Sequence, residues 1–212
     1  MEAFLRSDQY NYIKRQAQNL INGYLTANDQ EVLDGLKSLT EERVFQLVDD
    51  LSCEQKQLLA PIVRIKDRSD MDQFLMQIKP YVIPFSELTE QKVKKIFPKA
   101  KKLKMPSLDQ VDWSAISYLG WNDLGSQKKF IIMEDHHRFV GMQGSYRSLH
   151  QKGICAICKS HQEVGMFISE KRGTAKDTFV KRGNYICQDS DICNENLMDR
   201  EQLTDFFNTF LK

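Results

Sequence analysis

The N-terminal part of the chain carries its apolar residues at helical spacing. Ile13, Ala17, Leu20, Ile21 and Tyr24 follow the i, i+4, i+7, i+8, i+11 pattern of one helix face, and Ser7 or Asp8 is placed to cap its start. Asp29 is placed to cap a short second helix bearing Val32, Leu33 and Leu36. Thr40, followed by Glu41 and Glu42, opens a third with Val44, Leu47, Val48 and Leu51 inward. Ser52 and Gln55 have capping-box spacing for a fourth helix, which Pro61 should kink or end. Ser69 or Asp70 starts a fifth piece with Met71, Phe74, Leu75 and Ile78. Each helix is apolar on one side only. The short connections therefore predict a small antiparallel helical bundle.

The pattern changes after Lys79-Pro80, and a domain boundary is expected there: residues 1–80 form the bundle, residues 81–212 a mixed α/β domain, so the chain as a whole is of the α+β class. Thr89 caps a helix with Val93, Ile96, Phe97 and Ala100 on one face, crowded by Lys92, Lys94, Lys95, Lys99, Lys101, Lys102 and Lys104. Such a run is a solvated face or a contact for phosphate or an acidic partner. Lys129–Glu134 and Phe139–Gly144 read as a strand pair linked through Asp135, His136, His137 and Arg138. Gly120–Gly125 reads as a turn around a buried Trp121. Val164–Ser169 and Thr178–Lys181 read as a second pair, and Leu203, Phe206, Phe207, Phe210 and Leu211 line a last helix.

Charge narrows the picture. The formal net charge over 212 residues is +1, so no global field draws the chain to nucleic acid or a membrane. No apolar run approaches the roughly 20 residues of a membrane span. Met1–Arg6 has neither the basic start nor the apolar core of a signal peptide. A cytoplasmic protein is expected, and there cysteines serve as metal ligands more often than as disulfides.

Four of the five cysteines fall between 155 and 193, as C-x2-C, a long spacer and C-x5-C. A C-x2-C pair forms a knuckle that directs two thiolates at one metal ion, and Gly153 and Gly183 suit the sharp turns such a site needs. A hairpin in the spacer would return Cys187 and Cys193 to Cys155 and Cys158. Knuckle, hairpin and helix together predict a treble-clef-like, four-cysteine zinc finger over about residues 150–212, holding one structural zinc ion. Four sulfurs leave no open position for water, which opposes catalysis. Lys159, Lys181 and Arg182 are the sequence candidates to offset the thiolate charge. Two disulfides or four unliganded thiols are the competing readings, and Cys53 stands alone.

Enzymatic motifs are missing. His161-Gln162-Glu163 has the H-x-E form of zinc deaminases, but it follows the C-x2-C pair instead of preceding it, and no proline precedes Cys155. No phosphate-binding glycine loop or nucleophile elbow is present. A binding protein is expected, not an enzyme.

Gly153–Cys158, Val180–Cys187, Asp189-Ser190 and Cys193-Asn194 resemble the FusB/FusC family of fusidic acid resistance proteins. Gln9–Ile13, Tyr81–Phe85, Lys101–Pro106 and Gly120–Leu124 extend the resemblance in order along the chain. The resemblance implies a helical bundle followed by an α/β domain with a four-cysteine zinc finger. It also implies binding to elongation factor G, release of that factor from the ribosome, and no direct handling of the drug. The contact surface it implies comprises Ile154, Arg182, Tyr185 and Phe206, with Ile154 where resistance proteins can carry phenylalanine. The competing class is a zinc-containing RNA- or ribosome-binding accessory protein of translation, for which the lysine run is the best support.

Overall fold

The computed structural model describes residues 1–100, 103–136, 138–172 and 178–211. It divides into two compact units, Met1–Ile83 and Pro84–Lys212.

The first unit holds α1 (Ser7–Thr26), α2 (Gln30–Phe45), α3 (Cys53–Leu59) and α4 (Arg68–Ile78). Ile13, Ala17 and Leu20 of α1, Val44 of α2, Leu59 of α3, and Met71, Phe74 and Ile78 of α4 share one core. Arg6 caps α1: its amide donates to Gln9 Oε1 at 2.8 Å, and Ser7 and Asp8 lie inside the first turn. Asp29 caps α2 through the Glu31 amide. That helix runs unbroken through Thr40, where the sequence predicts a new start. Leu36, Thr40 and Val44 lie on one stripe, and with Thr40 buried the stripe is continuous, so packing overrides the local cap signal. Leu47, Val48 and Leu51 follow the helix but still pack on the core. The Ser52–Gln55 capping box forms, and α3 gives way at Pro61 to a 3-10 turn over Ala60–Arg64. Asp67 caps α4, two positions before the earlier of the two expected sites.

The unit boundary lies at Ile83/Pro84 instead of after residue 80. The cause is local. Val82 pairs with Leu5 and the Ile83 amide donates to Leu5 O at 2.8 Å, so the segment past Pro80 is stitched to the start of the bundle.

The second unit contains α5 (Glu90–Ile96), then β1 (Tyr118–Asp123), β2 (Lys128–Asp135), β3 (Arg138–Ile154), β4 (His161–Arg172) and β5 (Phe179–Cys187). It ends in α6 (Ser190–Asn196) and α7 (Arg200–Leu211). The strands form one antiparallel sheet in chain order. Both faces are covered, which explains the unbroken apolar run of β2. Phe130 and Ile132 face a core with Phe97 and Trp121, while Ile131 and Met133 face one with Phe167, Phe207 and the four clustered cysteines.

Gly120–Asp123 is strand, not turn. The turn follows at Leu124–Gln127, where Asp123 accepts from the Gly125 amide and the Ser126 hydroxyl. Gly120 is required by close approach: a Cβ there would stand 2.6 Å from Ser190 Oγ and 2.7 Å from the Tyr118 ring. Trp121 stacks on Phe130 at 5.0 Å and donates its indole N–H to Lys104 O. β2 and β3 form the expected hairpin, but Asp135 and Arg138, assigned from sequence to the link, pair with each other within the strands; His136 stands at φ 45°, in the left-handed region. His137 lies outside the described residues.

Gly144 is where β3 and β4 come closest to a backbone collision. An added Cβ would lie 2.5 Å from Ile168 O and 2.8 Å from the Phe167 ring. Gly144→Ala is expected to destabilise the second unit by about 1–3 kcal/mol, the usual cost of overpacking. A thermal melt of the zinc-loaded variant checks it; an unchanged melt means the hairpin yields freely.

Candidate metal centre

The centre is assembled from three elements. β3 delivers the knuckle Cys155-Ala156-Ile157-Cys158. The chain turns back into β4 through Lys159, whose φ of 58° supplies the left-handed residue. Gly153 and Gly183, read from sequence as turn formers, instead pair within β3 and β5. Cys187 ends β5, opposite Val164. Cys193 sits in α6, which Asp189 caps through the amides of Asp191 and Ile192. The C-x5-C spacing thus spans a strand exit and one helical turn, which carries the fourth sulfur back to the other three.

All four sulfurs lie within 4.8 Å of one another, and all four residues are buried. Cys155 Sγ is 3.7 Å from Cys193 Sγ, and Cys158 Sγ is 3.7 Å from Cys187 Sγ. Four sulfurs at about 2.3 Å from a tetrahedral zinc stand about 3.8 Å apart, so the cluster has the size of the ion's shell. A disulfide would need about 2.05 Å, and none of the four is bonded. Amide hydrogens point inward: Ile157 N and Cys187 N each donate to Cys155 Sγ at 3.3 Å. Such bonds stabilise thiolate over thiol.

The four sulfurs do not ionise alike. Hydrogen bonds from Cys158, Cys187 and Cys193 pull Cys155 strongly down. The same contact with Cys155 pushes Cys187 and Cys193 strongly up. Tyr118 is wholly buried beside Cys193; burial first, then the charge at Cys193, push its phenol well up, so it remains a neutral hydroxyl next to that sulfur.

The cations expected to offset the thiolates are turned to solvent or to other partners. Lys159 is exposed. Lys181 pairs with Glu170 at 3.2 Å. Arg182 donates to Thr209 O and Lys171 to Leu211 O, capping the carbonyl end of α7. The cation that the fold does bury here is Lys129, which sequence reading treats only as a strand residue. Its signal is a lysine at the head of the apolar run of β2.

The four residues of the implied contact surface separate into two kinds. Ile154 and Tyr185 are 60% and 45% exposed and flank the knuckle, where the Ala156 amide donates to Tyr185 O at 2.7 Å. Arg182 is half-buried. Phe206 is corrected: it is 4% exposed, packed against Phe210 at 4.8 Å and Phe167 at 6.0 Å, so it belongs to the core beneath the finger. His161 begins β4 and takes no part in the sulfur cluster. Of the lysine run, Lys92, Lys94, Lys95, Lys99 and Lys104 are exposed. Lys94 pairs with Glu90 and Lys92 lies over the Phe139 ring. Lys101 and Lys102 lie outside the described residues.

Two family models match the chain in order. One is described as "Elongation factor G-binding protein, N-terminal" and covers residues 4–86. The other, "FBP C-terminal treble-clef zinc-finger", covers residues 94–207 and includes the four cysteines. The solved structure of the fusidic acid resistance protein FusC is similar over 98% of this chain and 98% of that chain, at 28% sequence identity and a TM-score of 0.86. No curated protein sequence matches. The centre binds zinc: the treble-clef model spans it and its sulfurs fit the ion.

Proposed function

The chain belongs to the FusB/FusC family of elongation-factor-G-binding proteins, and from that premise we propose that it binds elongation factor G and promotes its release from ribosomes on which fusidic acid has trapped it. The observation that carries the reading is the ordered pair of family matches in a chain that is similar to FusC over 98% of its length. One structural zinc ion per chain serves the finger, held by Cys155, Cys158, Cys187 and Cys193. The protein acts by binding in the cytoplasm. It neither modifies the drug nor binds it, and it reaches the ribosome only through the factor.

The physics of release is a shifted equilibrium. Fusidic acid holds the factor on the ribosome. A partner that binds an off-ribosome or distorted form more tightly moves the balance, by no more than its differential affinity for the two forms. Zinc is not a reagent in this. It fixes the knuckle and the end of β5, and so holds Ile154 and Tyr185 at set positions on one rigid surface. Arg182, tied to α7, adds a charge at the border of that face. Phe206 supports it from below.

Tyr185 is the aromatic anchor of the surface, the more so because Ile154 offers no ring. Tyr185→Ala is expected to weaken binding to purified elongation factor G about 30-fold, close to the 2 kcal/mol of an interface hot spot, with zinc content unchanged. Calorimetry with zinc-loaded protein is the test, and the parent should bind at micromolar or tighter affinity. If the parent gives no binding heat, the function proposed here is wrong. If Tyr185→Ala binds as the parent does, the contact face lies elsewhere.

A further inference from the structure

Lys129 is the one buried cation among the described residues, 1% exposed at the second position of β2. Its ammonium donates to Gln188 O at 3.0 Å and Asn122 Oδ1 at 3.2 Å, and it lies 5.1 Å from the centre of the Tyr146 ring. Those partners are neutral. Among the described residues no carboxylate stands within ion-pair distance of it. An ammonium taken out of water without an opposing charge costs several kcal/mol, so a fold that keeps one there must set a negative charge nearby.

The sulfur cluster meets that need. Gln188, whose carbonyl receives the ammonium, directly follows Cys187. Burial draws the Lys129 ammonium down to about 8, and Cys193 and Cys187, ahead of Asp189, oppose it. Zinc with four thiolates carries a formal charge of −2. We propose that Lys129 is the internal counter-charge of the zinc centre, reducing its formal charge from −2 to −1. Counter-charge and centre stabilise each other: the thiolates justify the buried ammonium, and the ammonium offsets part of the negative charge that the four sulfurs bring to the metal. Asn122 Nδ2 also donates to Gln188 O, at 2.9 Å, which holds the acceptor in place.

A purely structural role would be a clasp joining β1 and β2 to the residue after β5. Charge and clasp separate experimentally. Lys129→Met keeps the stem and removes the charge; Lys129→Arg keeps the charge; Lys129→Gln keeps an N–H donor for Gln188 O without the charge and should lose affinity as Lys129→Met does; Asn122→Ala cuts the β1 side of the clasp and leaves the charge. Zinc affinity of each full-length protein is measured by chelator competition at fixed pH. Lys129→Met is expected to lose about 10- to 100-fold in affinity, the range for outer-shell groups of metal sites. Lys129→Arg and Asn122→Ala should stay within a few-fold of the parent. Equal losses in Lys129→Met and Asn122→Ala overturn the proposal in favour of the clasp, and an unchanged Lys129→Met overturns it outright. Should Lys129→Met not fold, Lys129→Gln against Lys129→Arg decides: Arg must hold zinc at least about ten-fold more tightly. The inference rests on the zinc ion of the proposed function. A parent protein without zinc removes that reading, whereas a zinc-loaded parent with an indifferent Lys129→Met removes this one alone.

Discussion

Replacing Cys155 by serine is expected to strip the protein of zinc, unfold the second unit and abolish binding to elongation factor G. Cys155 is the hub of the centre. It receives two backbone amides, stands 3.7 Å from Cys193, and is the sulfur most readily ionised. A serine hydroxyl is neither a thiolate nor long enough to replace one. Structural zinc contributes about 10–16 kcal/mol of apparent free energy in zinc-finger peptides at neutral pH. Whole domains are stable by about 5–15 kcal/mol. Loss of the ion is therefore comparable with, or larger than, everything that keeps the unit folded. The sulfurs are also part of its core, among Val164, Phe167, Ile186 and Phe207.

The same substitution should leave the first unit standing. Residues from Leu5 to Val82 form a separate core that contains none of the four cysteines. Circular dichroism should therefore keep the signal of α1 to α4 while the sheet is lost, and metal analysis should find zinc gone. Cys53→Ser is the control: it is an exposed free thiol, and its loss should change neither zinc content nor fold. A Cys155→Ser protein that melts like the parent and still binds the factor would mean that the metal does not hold the finger together.

The centre is readable from spacing because metal coordination leaves few alternatives. A knuckle must be C-x2-C or close to it, and four buried sulfurs in one region have little else to do. Capping is readable in part: Asp29, Ser52 and Thr89 cap and Pro61 ends α3 as their chemistry predicts, whereas Arg6 and Asp67 cap α1 and α4 just ahead of the expected sites. The signals that mislead are those that long-range packing can overrule. Thr40 has the side chain of a cap, yet it continues α2 because Leu36 and Val44 need one stripe. Gly120 reads as part of a turn and is a strand residue beneath Ser190, a neighbour 70 positions away in the chain. Nothing local marks such an approach. α6 goes unread because only Ile192 and Cys193 among its residues are apolar, which is too few to show a period.

The contact face is legible only in part, for a related reason. Periodicity places Phe206 on the apolar side of the last helix, and the resemblance places it toward a partner. The helix packs so that periodicity prevails. Lys129 escapes both approaches. A lysine in a strand reads as an outward residue, and only the folded sheet puts its ammonium over Tyr146 and on the carbonyl of Gln188, the residue that follows Cys187.

Acid should empty the centre steeply, and the direction follows from the sulfurs themselves. In the metal-free cluster Cys187 and Cys193 are raised above the ordinary thiol range, so both are protonated at neutral pH. Zinc binds thiolates, and each of these groups must release its proton when the ion enters. Affinity therefore rises with pH by a factor of ten per proton released, and falls by the same factor as pH drops. At least these two protons give at least about 100-fold per pH unit, or about 2.7 kcal/mol. From pH 7 to pH 5 the loss is then at least about 10,000-fold, roughly 5.5 kcal/mol, a large share of what the ion contributes. Because the second unit depends on the ion, its melting temperature should fall along the same curve, while the first unit, whose described core has no metal ligand, should respond little. Chelator-competition titrations at half-unit pH steps measure the slope directly. A slope near zero would show that the sulfurs are already ionised without zinc, and the coupling between Cys155 and its neighbours would then be of the opposite kind.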